Sequence, residues 1–155
     1  MKNDMERIGI FAGSFDPFTI GHDSIVRRAL PLFDRIVIGV GVNERKQTMQ
    51  TAQERVGFIG DLYADEPRIA VEAYSDLTVD FARRVGAHYI IKGVRSVRDF
   101  EYEREQADIN RQLDGLETVF LFAEPQLESV SSSLVRELKH FGKDVSEFLP
   151  TRKRT

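Results

Sequence analysis

Five short apolar runs, each followed by a stretch of helical periodicity, restrict this chain to a layered architecture of strands and helices. The runs occupy residues 8–12, 35–42, 68–73, 88–91 and 117–122. Runs this short and this apolar fit parallel strands buried on both faces. After the first run, Ile25, Val26, Ala29, Leu30 and Phe33 recur at helical spacing, with Arg27, Arg28 and Asp34 between or after them. Pro31 either kinks that helix or marks its last turn. Thr51 and Glu54 form a capping-box pattern ahead of a helix carrying Val56, Ile59, Leu62 and Tyr63. Residues 75–78 lead into a helix ending near Gly86. The string KGVRSVRDFEYE opens a long charged helix closing near Gly115, and the serines at 131–133 begin another that ends near Gly142. Residues 144–149 allow a short final helix. Alternation of this kind argues for an α/β fold: one five-stranded parallel sheet with helices on both faces. At 155 residues the expectation is a single domain over 1–155.

The first strand runs directly into the most chemically loaded segment, IGIFAGSFDPFTIGH, residues 8–22. Gly13 and Ser14 fall where the backbone must bend and where a ligand can approach a small side chain. Asp16-Pro17 is a turn signal, and Thr19 suits the N-cap of a helix starting Ile20-Gly21-His22. A glycine, a hydroxyl, a histidine and free helix N–H groups in one turn make a site for phosphate. Any one of these residues alone fits an ordinary strand–helix junction.

In parallel sheets ligands bind beyond the carboxyl ends of the strands, where the strand order switches. Ser14 and His22 follow the first strand, Lys46 the second, Asp76 to Thr78 the third, Lys92 and Arg95 the fourth, and the serines the fifth. Singly, each charge reads as a solvated surface group. Together Lys46, Lys92 and Arg95, with His22 as a possible fourth cation, form a clamp for several phosphates. The serines at 131–133 can cap their helix and still leave first-turn N–H groups for an anion. Glycines at 39 and 41 suggest close approach by a neighbour or ligand. No general-base constellation stands out, since Asp16 reads better as part of a turn. A phosphate nucleophile needs none, because its second pKa near 6 leaves it mostly ionised at pH 7.

Composition removes several alternatives. There is no cysteine, which excludes thiolate catalysis and cysteine-ligated zinc, and a net charge of −3 gives no reason to expect nucleic-acid binding. No apolar run is long enough to span a membrane. The opening MKNDMER has no apolar core behind its charges, so a cytoplasmic protein is expected. The basic stretch 152–154 reads as a solvated tail.

The string from Gly13 to His22 resembles the signature of HxGH-type nucleotidyltransferases, which have a Rossmann-like fold. Further pieces extend the resemblance over almost the whole chain: Lys46 before Met49, SDLTVDFAR, KGVRSVRDFEYE, the stretch 108–111, and SSSLVRE followed by FLP. Together they resemble the bacterial phosphopantetheine adenylyltransferase family. That resemblance implies transfer of AMP from ATP to 4′-phosphopantetheine with Mg²⁺, giving dephospho-coenzyme A and pyrophosphate. His22 and Ser14 would contact the α-phosphate, with His22 stabilising the transition state, and Arg95 would join the catalytic set. Lys46 would hold the nucleophilic phosphate, Lys92 the pantetheine phosphate, and Thr78 near Leu77 the pantetheine arm. Phe15, Gly93, Val94, Arg95, Glu103 and the loop of Leu127, Glu128, Ser129, Val130, Ser131, Ser132 and Ser133 would form the ATP site. The metal would be held mainly through substrate phosphates and water. The family further implies a homohexamer, with contacts around Phe100 and Tyr102, and coenzyme A as a possible feedback inhibitor.

Three positions depart from the family's usual pattern. Ser14 stands where threonine is common, Lys92 where arginine is usual, and Leu127-Glu128-Ser129 where a more aromatic stretch precedes the serines. One rival reading is an adenylyltransferase for nicotinate mononucleotide, which usually carries a second histidine where Thr19 stands. Another is a module that binds nucleotide or coenzyme A without catalysis.

Overall fold

The computed structural model describes residues 6–152. Residues 1–5, and residues 153 and 154 of the basic stretch, lie outside the described residues. The chain forms β1 (Ile8–Gly13), α1 (Ile20–Ala29), β2 (Arg35–Gly41), α2 (Ala52–Leu62), β3 (Ile69–Tyr74), α3 (Thr78–Arg84), β4 (Tyr89–Val94), α4 (Val97–Asp114), β5 (Glu117–Phe122) and α5 (Ser132–His140). The five strands pair in parallel in the order β3-β2-β1-β4-β5. The chain therefore builds outward from β1 in one direction, then crosses over to build outward in the other. The switch lies between β1 and β4, where a crevice opens at the carboxyl ends.

Side-chain alternation splits the core into two layers. Ile36, Ile38 and Val40 of β2 pack with Ile25, Val26 and Ala29 of α1 and Ile59 and Leu62 of α2. Val37, with Ile8, Ile10 and Ile90, faces the opposite way onto Phe81 and Ala82 of α3. α4 lies on that second face. Phe100 packs edge-on against Phe120 of β5 at 5.6 Å, and Asp114 is ion-paired with Arg83 of α3. Helices thus cover both faces of a Rossmann-like α/β sheet, as the alternation predicts.

β1 and β2 each differ from the sequence reading by one residue at the carboxyl end, and other differences occur elsewhere. β3 is shifted by one residue, to Ile69–Tyr74. β4 continues through Lys92, Gly93 and Val94, which pair with Phe120, Leu121 and Phe122. The lysine ends the apolar pattern but not the backbone ladder. α1 stops at Ala29 and a 3₁₀ turn, Leu30–Leu32, holds Pro31, whose ring cannot continue α-helical bonding. Residues 144–149 yield only a 3₁₀ turn, Ser146–Phe148.

Gly39 explains itself by packing. A Cβ there would lie 2.5 Å from the ring of Phe81, which stacks on Tyr74 at 4.4 Å. The close neighbour at that glycine is a core ring. Both expected caps form: Thr19 closes α1 with His22, and Thr51 closes α2 with Glu54.

Candidate active site

The turn between β1 and α1 is compact and held from several sides. Phe15 takes a left-handed backbone (φ 50°), unusual for a bulky side chain, and the Asp16–Pro17 peptide is cis. Carbonyl oxygens that such a turn strips from regular pairing find specific donors. The Ser14 carbonyl accepts from Arg55 Nη1 at 2.6 Å, that of Asp16 from Arg136 Nη1 at 2.7 Å, and that of Pro17 from Ser132 Oγ at 2.7 Å. The Asp16 side chain is buried, and its two oxygens accept from the N–H groups of Met49 and Gln50, each at 2.8 Å. With both oxygens so engaged, Asp16 is a structural residue, in line with its reading as part of a turn.

His22 sits at the third position of α1, its ring within 6.2 Å of the rings of Phe11, Phe15 and Phe18. The Thr19 backbone N–H donates to Nδ1 at 2.9 Å. That bond requires a lone pair on Nδ1, so the neutral ring carries its proton on Nε2. Burial, and secondly the positive charge of Arg95, push the pKa of His22 down to about 4. The ring is thus a neutral donor at pH 7 in the unliganded protein, not the fourth cation that the sequence suggested.

Beside this turn opens a cleft of about 400 Å³. Ser14, Phe15 and His22 border it from the β1 side, with Lys46 from the segment after β2. Lys92 and Gly93 border it from β4, Arg95 from the residue after that strand, Glu103 from α4, and Leu127, Val130 and Ser131–Ser133 from the segment after β5. The cations at this strand end are not idle. Lys92 Nζ lies 3.1 Å from Glu103, and Arg95 Nε lies 3.2 Å from Asp99. Ser131 caps α5 by accepting from the Leu134 N–H at 3.1 Å. Gly21, in the first turn of α1, borders the cleft, and its N–H has no intrahelical partner.

Five expected residues fall outside this lining. Val94 is buried in the sheet. Leu77 is exposed at the start of α3, and Thr78 shares a hydrogen bond with the Tyr74 hydroxyl at 3.1 Å. Glu128 and Ser129 are not among the residues that border the cleft. Convergence of strand-end residues therefore holds for β1, β2, β4 and β5 but not for the segment after β3. Two charged residues that border the cleft had no role in the sequence reading: Asp99 and Arg136. Arg136 stands one helical turn after Ser132, a spacing that could have marked it as a neighbour of the serines.

A cytidylyltransferase-like family model matches residues 10–138. A phosphopantetheine adenylyltransferase of Phocaeicola vulgatus is 57% identical over 144 residues, covering 93% of this chain and 95% of that protein. The protein of the same name from Porphyromonas gingivalis is 52% identical over 145 residues, covering 94% and 95%. This chain belongs to the phosphopantetheine adenylyltransferase family. It is accordingly a nucleotidyltransferase of the cytidylyltransferase-like group. A solved bifunctional NMN adenylyltransferase/ADP ribose pyrophosphatase from Francisella tularensis superposes with a TM-score of 0.72 at 16% identity, over 96% of this chain and 46% of that one. At that identity the likeness speaks for the fold alone.

Proposed function

We propose that this protein joins the AMP of ATP to the phosphate of 4′-phosphopantetheine, forming dephospho-coenzyme A and releasing pyrophosphate. The observation that carries the proposal is the meeting of Ser14, neutral His22, Lys46, Lys92 and Arg95, from three strand ends, around one cleft at a helix N-terminus. The named relatives supply the substrates.

A phosphate oxygen of the acceptor attacks the α-phosphorus of ATP as the bond from that phosphorus to the β-bridging oxygen breaks. The acceptor phosphate arrives ionised, so no side chain has to remove a proton. What remains is alignment and charge stabilisation. Lys46 holds the acceptor phosphate, while His22 Nε2–H and Ser14 donate to the α-phosphate oxygens. Lys92 and Arg95 exchange their carboxylate partners for substrate phosphates. Gly93, Glu103, Leu127 and Val130 to Ser133 surround the nucleotide, with Phe15 bordering the same cleft. Val94, Glu128 and Ser129 support that wall without lining it. Leu77 and Thr78, at the same sheet edge, meet the pantetheine arm.

Among the described residues no group of three or more His, Asp or Glu side chains could hold a metal. Asp99 and Glu103 are ion-paired with the cations they face. A Mg²⁺ ion would be held by substrate phosphates and water, neutralising phosphate charge. No helix among the described residues is long and apolar enough to cross a membrane. A cytoplasmic location is part of the proposed reading and follows from the biosynthetic reaction. Exposed Val97, Tyr102, Ile109 and Leu113 along α4 favour self-assembly, which we take to be a homohexamer. Coenzyme A, which shares the acceptor's arm, would compete at the same cleft.

The deciding experiment offers the purified protein ATP, Mg²⁺ and a panel of phosphate acceptors while pyrophosphate is followed. Turnover with 4′-phosphopantetheine is expected. Turnover with nicotinate mononucleotide instead would overturn the substrate assignment, and saturable binding without pyrophosphate would leave a sensor.

A further inference from the structure

Arg55 is the one arginine of the described residues that is buried, at 3% exposed, and its guanidinium bonds go to carbonyl oxygens rather than to a carboxylate. Nη1 donates to Ser14 O at 2.6 Å and Gly41 O at 3.1 Å. Nε is shared between Gln50 O at 3.2 Å and Thr51 O at 3.3 Å. Those acceptors belong to three separate segments: the turn after β1, the end of β2, and the entrance to α2. Burying a positive charge is costly unless hydrogen bonds compensate it, so these contacts are specific.

The segment between Gly41 and Gln50 carries Lys46, which is itself exposed and borders the cleft. Arg55 therefore ties both ends of that segment to each other and to the residue bearing the Ser14 hydroxyl. Asp16 fastens the same place from the opposite direction, its carboxylate holding Met49 and Gln50 N–H. Two buried charges of opposite sign thus grip one loop by its backbone, one through carbonyls and one through amides.

We propose that Arg55 is a positioning residue for nucleotidyl transfer, setting Lys46 against the Ser14–His22 turn, with Asp16 as its counterpart. The role assigned to Lys46 rests on the reaction proposed above. Arg55 touches no substrate in this scheme. It acts through the loop, and a displacement of about 1 Å at a reacting group can cost on the order of 10²-fold in rate.

The test is a double-mutant cycle on the full chain with Arg55→Met and Lys46→Ala. Arg55→Met is expected to lower kcat/KM for the acceptor by roughly 10- to 100-fold. The Kd for ATP, measured separately, should stay within about twofold. In the Lys46→Ala background Arg55→Met should change kcat/KM by less than about twofold, because the residue it positions is gone. Trypsin should cut after Arg45 and Lys46 faster in Arg55→Met than in the unaltered protein at equal global stability. Additive losses, or an equal loss of ATP affinity, would show that Arg55 merely supports the fold and would overturn the proposal. If Arg55→Met does not fold, Asp16→Asn decides, since its amide cannot accept from both N–H groups. It should reproduce the kinetic and proteolytic signature, and an unaffected loop would sink the idea. Absence of turnover in the unaltered protein would instead strike the reaction, leaving the trypsin comparison to judge the brace.

Discussion

The two lips of the cleft are built on different principles. On the β1–β2 lip, buried Arg55 and Asp16 hold the backbone of the turn and the loop, and His22 is locked by the Thr19 N–H and three phenylalanine rings. On the β4–α4 lip, Lys92 and Arg95 rest on Glu103 and Asp99, partners that are themselves partly exposed to water. Pairs of that kind contribute little to stability and can be exchanged for a phosphate at small cost. One lip is prepared before any substrate arrives, and the other has charges on loan. Preorganised donors lower the barrier to reaction, whereas exchangeable ones chiefly set how tightly an anion is held.

That contrast is open to attack at three points. The largest effect is expected on the prepared lip: His22→Ala should reduce kcat on the order of 10²-fold or more while ATP binding changes little. Single-turnover kinetics with a separate ATP titration would check it, and equal losses in both would place His22 in ground-state binding. On the exchangeable lip, Lys92→Ala should raise the acceptor's KM on the order of tenfold with a smaller change in kcat. Glu103→Gln, which frees Lys92 but also alters the nucleotide side, should make phosphate binding more salt-sensitive. An unchanged acceptor KM with weakened ATP would move Lys92 to the other half of the site.

The third point concerns pH and reads stability rather than rate. The folded pKa of His22, about 4, lies below its unfolded value of 6.5, so the unfolded chain takes up the proton first. Stability from this group is therefore complete above pH 6.5 and declines as pH falls toward 4. Thermal melts between pH 6.5 and 5 should show a steeper loss than those of His22→Gln, by about 2 kcal/mol across that window. Parallel slopes would mean that the ring is not held neutral.

The parts of the molecule visible in the sequence are those set by near neighbours. Thr51 and Glu54 sit three residues apart, and residues 119–122 form an uninterrupted apolar run, so local spacing reveals both. The strand-end placement of Ser14, Lys46, Lys92 and Arg95 followed from alternation alone. Arg55 could not be read this way. It stands among helical residues like any solvated charge, and its partner Ser14 is 41 positions away. The charge state of His22 was equally hidden, because it depends on how Phe11, Phe15 and Phe18 fold around it. Leu77 and Thr78 carried a motif but no signal of distance, and only tertiary placement separates them from the cleft's lining.

The two capped helices also teach something about engineering this protein. α2 is closed by a threonine with a glutamate, α1 by a threonine with a histidine, in the same geometry. A designer maximising helical propensity would install the glutamate at residue 22 as well, and the N-terminus of α1 would accept it. Under the proposed reaction, the product would be a sturdier scaffold with an anion planted where the incoming phosphates would sit. If His22 acts as proposed, the device that closes the helix and the device that serves the ligand are a single side chain, so neither can be optimised alone.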